Sequence, residues 1–251
     1  MVEIIAHRGA SYDAPENTLS SIRLAWEQQA DAVEIDCRLT SDGQIVIIHD
    51  ADARRVAGSD LRIAETPWDN LKHLDCGRWK GPQWTGERLP LLGEVIEAVP
   101  SGKRLLIEVK CGVEILSALA TDLAGAARSA SELVVICFDG AVIAGIKQRL
   151  PDVPAYFLSR TPQPASAKRS AVDLGPNWFE RVLDDAHRAA DGLDLEAGPA
   201  VDRALIERAE KAGLPCYVWT IDSAPEARRL RDAGVRGITT NRPAWLREQL
   251  A

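Results

Sequence analysis

The sequence has no apolar run approaching the ~18 residues that a membrane-spanning helix needs, so integral membrane association is not expected. It also lacks an excess of basic residues. Thirty Lys and Arg stand against 37 Asp and Glu, for a net charge of −7. Nucleic acid is therefore not an expected partner, nor is an anionic membrane surface, because both call for basic patches. An anionic small molecule stays admissible, since a metal ion and a few placed Arg or Lys side chains override the global sign. Paired cysteines are missing too. Cys37, Cys76, Cys111, Cys137 and Cys216 are odd in number and form no CxxC, which argues against a disulfide framework and a structural zinc site. The opening Met1–His7 has neither a basic stretch nor a long apolar one, so no signal peptide is expected and a cytoplasmic location is. There is no internal repeat, low-complexity segment or linker. The expectation is one domain over residues 1–251, of a length that single α/β barrels commonly have. Nothing here fixes an oligomeric state.

What is present alternates. Short β-rich apolar runs take turns with amphipathic stretches, the pattern of a parallel α/β fold. The runs Glu3–His7, Ala32–Asp36, Leu105–Lys110, Leu133–Phe138, Ala155–Ser159, Gly192–Leu195, Cys216–Ile221 and Gly237–Thr240 read as eight strands. Leu19, Ile22, Ala25 and Trp26 repeat at helical spacing after Asn17 or Thr18, either of which suits a cap. Helices are predicted over Ala200–Ala212, ending at Gly213, and over Pro225–Ala233, ending at Gly234. Thr161–Val172 reads as a loop. The fold class is α/β: a (β/α)8 TIM-type barrel with a small rim insertion at about residues 51–90.

One run does not fit the alternation. Gln44–His49 follows the second strand after only Ser41-Asp42-Gly43, so the two must form a short antiparallel hairpin. That geometry sets Asp36 opposite about His49, within one residue. It delivers His49 to the C-terminal end of the second strand, where active sites of such barrels lie.

Three strand ends carry reactive groups: His7-Arg8-Gly9, Glu34-Ile35-Asp36 and Glu108-Val109-Lys110. Residues two apart share a face of a strand, so Glu34 and Asp36 point together, as do Glu108 and Lys110. Their neighbours Val33, Ile35, Leu106, Ile107 and Val109 are apolar. Carboxylates aimed into such an interior need a partner. Three of them converging suit one divalent cation, and an all-oxygen set favours Mg²⁺ or Ca²⁺. His7 and His49 suit proton transfer to and from a phosphodiester, and Arg8 and Lys110 suit its oxygens.

Taken in order, His7-Arg8-Gly9, Pro15-Glu16-Asn17-Thr18, Glu34-Ile35-Asp36, His49-Asp50, Ile107-Glu108-Val109-Lys110 and Val218-Trp219-Thr220 resemble the signature of the glycerophosphodiester phosphodiesterases. The resemblance is strong over residues 4–110 and 213–243 and weak over about 140–210. It implies a barrel enzyme that hydrolyses deacylated phospholipids to glycerol 3-phosphate and an alcohol. It implies a metal held by the carboxylates matching Glu34, Asp36 and Glu108, and acid–base histidines matching His7 and His49. A route in which the glycerol 2-hydroxyl attacks first, giving a cyclic phosphate that water opens, is part of the same implication. The sequence departs from the family pattern at Asp222, where Asn is usual, and at Asn241, where Asp is usual. Both positions are expected to bear on the pocket wall and not on the metal or histidine set.

Each residue also has a plainer role open to it. Glu108 can pair with Lys110 or Arg8, and Lys110 can be structural. Asp50 orients a neighbour or caps a turn, and Glu16 either stabilises a helix start or reaches substrate. Trp219 can pack in the core or stack on glycerol. Trp79, Trp84 and Trp178 can line the mouth or simply pack, and His73 and His187 read as surface residues. The competing activities are a lysophospholipase D-like hydrolase of other alkyl phosphodiesters, a non-catalytic phosphodiester-binding barrel, and an unrelated metal-dependent lyase.

Overall fold

Continuous apolar sequence makes the barrel strands. In β-branched runs such as Leu133–Cys137 every residue is buried, as expected for strands covered on both faces. The computed structural model describes residues 2–162, 174–175 and 177–251. The strands are β1 (Glu3–His7), β2 (Ala32–Leu39), β3 (Ile45–Ile47), β4 (Arg104–Val109), β5 (Leu133–Cys137), β6 (Ala155–Ser159), β7 (Gly192–Glu196), β8 (Cys216–Trp219) and β9 (Gly237–Thr240). All pair in parallel around a closed ring except β3. The ring closes because β1 pairs with both β2 and β9, while β2 pairs onward with β4. The eight expected barrel strands are all present, in a (β/α)8 barrel.

The helices are α1 (Leu19–Glu27), α2 (Arg54–Ala57), α3 (Trp68–Leu71), α4 (Leu92–Glu97), α5 (Leu116–Gly125), α6 (Gly140–Arg149), α7 (Trp178–His187), α8 (Arg203–Lys211), α9 (Ala224–Ala233) and α10 (Pro243–Leu250). Thr18, not Asn17, caps α1, its side chain accepting from the Ser21 N–H. Helix α8 starts later than its apolar period suggests, because Asp202 caps it through the Leu205 N–H. Gly234 ends α9 at φ 106°, a left-handed position that favours glycine. The loop expected over Thr161–Val172 lies, beyond residue 162, outside the described residues.

The hairpin strand is shorter than the run Gln44–His49. Only Ile45–Ile47 pair with β2, and Asp36 meets Ile48, not His49, through Ile48 N–H to Asp36 O at 2.9 Å. The chain then turns away, which frees the His49 side chain for the barrel mouth. Residues 51–90 pack on this hairpin through a small apolar cluster of their own, including Val46, Ile48, Val56, Ile63 and Leu71. Trp178 is buried in α7 against Phe179, in the layer between helices and barrel, and not at the mouth. Trp79 is half exposed, with its indole N–H on Cys76 O. Trp79, Trp84 and Trp178 are all absent from the central cavity wall.

The far end of the barrel is shut. Tyr156 and Tyr217 stack at 4.9 Å, and Arg104 donates to both hydroxyls (2.8 and 3.1 Å) and to Glu3 (2.8 Å). Gly192 and Gly237 leave room for the rings: a Cβ at Gly237 would lie 2.6 Å from Tyr217 Cδ1. Among the described residues, these side chains fill the N-terminal end of the barrel, opposite the strand ends that carry the cavity.

Candidate active site

The bend after β1 positions the first group. Arg8 and Gly9 both have positive φ, 56° and 80°, and a Cβ on Gly9 would come within 2.5 Å of Ser21. This tight turn lets the Arg8 N–H reach Glu34 Oε2 at 3.0 Å. The Arg8 guanidinium donates to Glu16 at 2.8 Å and places its Nε 2.9 Å from Asp36 Oδ2.

Parallel register gathers the acids. Glu108 is the β4 partner of Asp36, and Glu34 points the same way as Asp36 along β2. Glu34, Asp36 and Glu108 each offer an oxygen within 4.8 Å of the others, and all three are buried. Lys110 lies 3.1 Å from Asp36 Oδ1 and hydrogen-bonds Glu108. So the pairing of Glu108 with Lys110 and the convergence of the three acids hold together in one cluster. Asn17, at φ 57°, grips Asp36 twice: its amide donates to Oδ2 at 2.9 Å and its Oδ1 accepts the Asp36 N–H at 3.1 Å.

The charges do not balance among themselves. Burial, then the charges of Asp36 and Glu108, push Glu34 well above the usual carboxylate range. Burial opposes ionisation of Asp36 as well, but Arg8 and Lys110 outweigh it and hold Asp36 down at about 2. Glu34 Oε1 is buried with no hydrogen-bond partner among the described residues. An unpartnered carboxylate oxygen facing two other carboxylates fits a cation, and the donor set fits a hard one.

The histidines stand at either side. His7 Nε2 is 4.0 Å from Glu34, while its Nδ1 is 2.7 Å from Asn241 Oδ1. His49 Nδ1 is 2.7 Å from Asp50 Oδ1. Burial, then the Arg8 charge, lowers His7 to about 4, and burial lowers His49. Asp50 in turn accepts from Arg55 Nε at 2.6 Å. Arg55 also donates to both oxygens of Glu16, at 2.7 and 2.9 Å. A continuous chain thus runs His49–Asp50–Arg55–Glu16–Arg8–Asp36.

The departures at Asp222 and Asn241 correct the sequence expectation. Asn241 touches His7 directly, and Asp222 accepts from the Asn241 amide at 2.5 Å. These positions belong to the histidine set, because the end of β9 lies beside the end of β1.

His7, Arg8, Glu34, His49, Glu108, Lys110 and Trp219 all line one cavity of about 960 Å³. Trp219 faces it edge-on to Phe138, with ring centres 5.9 Å apart, and spends its N–H on the Asp194 carbonyl at 3.2 Å. Glu16 and Asp50 sit one bond behind, through Arg8 and His49. His73 and His187 are exposed and do not line the cavity.

The family profile of the glycerophosphoryl diester phosphodiesterases matches residues 7–245. The chain belongs to that family. It is 28% identical over 251 residues to the glycerophosphodiester phosphodiesterase of Caldanaerobacter subterraneus subsp. tengcongensis, covering 97% of this chain and 95% of that one. It is 26% identical to a lysophospholipase D of Homo sapiens, covering 98% of this chain and 85% of that one. A phosphodiesterase of Oleispira antarctica, solved in complex with its product sn-glycerol-3-phosphate, superposes with a TM-score of 0.86 at 28% identity, over 99% of this chain and 96% of that chain. The enzyme class implied by the sequence stands: glycerophosphodiester phosphodiesterase. Among the described residues no helix is long and apolar enough to cross a membrane.

Five residues around this cavity of the glycerophosphodiester phosphodiesterase are not picked out by sequence reasoning. Asn17 was visible but read as a cap. Arg55 lay in an irregular segment with no period to place it. Asn241 and Asp222 stood out only as departures. Asp194 carries a signal: an acid between Leu193 and Leu195 on a strand, the same pattern that singles out Glu34 and Asp36.

Proposed function

We propose that this enzyme hydrolyses glycerophosphodiesters to glycerol 3-phosphate and an alcohol, with one divalent cation, Mg²⁺ or Ca²⁺, on Glu34, Asp36 and Glu108, and with His7 and His49 as the proton-transfer pair. The observation that carries this is the shared arrangement of the two histidines. Each has Nδ1 engaged by an acceptor, which leaves Nε2 as the free nitrogen on the cavity side. For His7 the assignment follows from Asp222: it occupies the Asn241 amide nitrogen, so the atom turned to His7 is the carbonyl oxygen. The bound cation supplies charge stabilisation at the phosphoryl oxygens.

The chain's own groups do the rest. Arg8 and Lys110 face the anionic phosphodiester, held there by Glu16, Asp36 and Glu108. One histidine takes the proton of the attacking hydroxyl and the other gives one to the departing oxygen. Asp50 and Arg55 keep His49 turned inward. Trp219 forms the wall against which the substrate rests. Residues 1–251 serve as one unit, with 51–90 as the rim that brings Arg55 to the site. A second reading, hydrolysis of lipid-tailed alkyl phosphodiesters, draws on Phe138, which is 42% exposed at the cavity mouth and would accept an apolar chain.

His7→Ala and His49→Ala test the assignment. Each is expected to lose turnover on the order of 10²–10⁴-fold while still binding metal. Near-wild-type turnover in either variant removes that histidine from the mechanism.

A further inference from the structure

The barrel interior is built in layers, to which alternate strands contribute. Stepping around the ring by the ladder registers puts His7, Glu108, Leu158 and Trp219 in one layer. Glu34, Ile136, Asp194 and Thr239 make the layer beneath, with Asp194 across the barrel from Glu34. Below them Tyr156 and Tyr217 close the floor. All four residues of the Glu34 layer line the central cavity.

Asp194 has no part in the metal cluster or the histidine chains. It is 1% exposed, and its Oδ1 has no hydrogen-bond partner among the described residues. Thr239, 2% exposed, has an unpartnered hydroxyl in the same layer. Leaving such groups unpaired is destabilising. Ile136 and Leu158 show that an apolar side chain fits this part of the wall. A carboxyl and a hydroxyl kept at the floor and aimed into the cavity are groups waiting for a polar partner.

The partner's chemistry follows from what surrounds them. With the phosphate on Arg8 and Lys110, as proposed above, the floor receives whatever hangs beneath it. The space below is short and closed by tyrosine rings. The Asp194 carboxyl accepts and the Thr239 hydroxyl both donates and accepts, a pair suited to a hydroxyl, which can give and take a hydrogen bond at once. Burial, then the charge of Glu108, raises the Asp194 carboxyl well above its usual range, which favours a neutral group opposite it.

We propose that Asp194 and Thr239 form a hydroxyl-recognition subsite that selects diesters with a small polyol arm by hydrogen-bonding that arm's free hydroxyl. This rests on the phosphodiesterase reading for where the phosphate lies. It adds that the polyol arm points down the barrel, while the other alcohol stays near Phe138 and the mouth.

Binding to the metal-loaded enzyme tests this with three probes: glycerol 3-phosphate, phosphocholine and inorganic phosphate. Asp194→Leu is expected to weaken glycerol 3-phosphate by roughly 10- to 100-fold, in line with a site built to pair a hydroxyl. Phosphocholine and phosphate should change less than about twofold on the same scale. The near-isosteric Asp194→Asn, which keeps a donor and an acceptor, should restore most of the affinity. Thermal stability should hold or rise in both variants, because an unpaired buried carboxyl is removed; a purely structural Asp194 would lower it. Undiminished glycerol 3-phosphate binding in Asp194→Leu overturns the proposal, as does equal weakening of all three probes or selective loss of phosphocholine. A wild-type enzyme that binds glycerol 3-phosphate selectively yet turns over no diester would sink the phosphodiesterase reading and leave the subsite standing.

Discussion

Asp222 holds Asn241 by two bonds. Its Oδ2 accepts from the Asn241 side-chain amide at 2.5 Å, and its Oδ1 accepts from the Asn241 backbone N–H at 2.9 Å. The Asn241 carbonyl is thereby turned to His7 and to the Ser11 hydroxyl, at 2.7 and 2.9 Å. On the Nδ1 side of His7 the nearest group is thus the Asn241 carbonyl, with the Asp222 carboxyl one residue further back.

That arrangement predicts strong coupling between the two positions. Asn241→Asp alone sets a second carboxylate against Asp222 and should lower turnover on the order of 10- to 100-fold, as loss of an outer-shell partner of a histidine does. Adding Asp222→Asn restores a donor for the new carboxylate. The double variant should recover to within a few-fold of wild type, a coupling of about 0.5–3 kcal/mol. Steady-state rates of the four proteins give the cycle, and additive losses would contradict it.

Arg55 carries a second prediction. Its guanidinium spans Asp50 and Glu16, a fork that one ammonium cannot reproduce. Arg55→Ala and Arg55→Lys should both lower kcat by roughly tenfold or more. The side chain is 43% exposed, so stability should fall by only about 0–1 kcal/mol. Turnover that tracks wild type in the Lys variant would mean the span is unnecessary.

A third concerns metal, pH and stability. Glu34 is raised above its ordinary 4.5 in the metal-free protein, so its contribution is present below that value and is lost as pH rises through the folded value. His7 runs the other way: lowered to about 4, it contributes stability that is lost as pH falls from 6.5 towards 4. Comparing metal-loaded with metal-free protein at each pH isolates the carboxylates. The melting-point gain from saturating Mg²⁺ or Ca²⁺ should grow as pH rises above the ordinary carboxylate value of 4.5, because the ligands must be deprotonated. Glu34→Gln should raise the metal-free melting point at the alkaline end of the series, where burial of the ionised carboxylate is costly, and abolish most of the gain. A gain independent of pH would refute the cluster as the metal site.

The strand order, the closed ring and the hairpin were legible in the sequence because each rests on a local signal: apolar runs, period-two acids, a three-residue turn. The triad Glu34, Asp36 and Glu108 was legible for the same reason, since a shared face follows from spacing. The groups behind the triad were not. Arg55 reaches Glu16 across 39 positions, and Asn241 reaches His7 across 234. Such contacts exist only once the ring has closed, and no local period encodes them. Asn17 is a cap-like residue in the turn before a helix, and its partner Asp36 is on β2, 19 positions away.

The floor of the barrel gives a prediction for stability alone. Gly237→Ala would drive a Cβ to 2.6 Å from Tyr217 Cδ1, and the stacked ring has Tyr156 behind it. Overpacking of this kind costs about 1–3 kcal/mol, at roughly 2–4 °C of melting temperature per kcal/mol for a chain of this size. Metal affinity should be untouched. A calorimetric scan of the variant showing no loss would mean the tyrosine pair yields easily.

The central claim, hydrolysis at a carboxylate-held cation, is tested most directly by measuring glycerol 3-phosphate release from a panel of glycerophosphodiesters in excess EDTA and after adding back Mg²⁺ or Ca²⁺. Release that EDTA abolishes and one of the ions restores is the expected result. Turnover indifferent to EDTA, or no release from any diester with either ion, would contradict it.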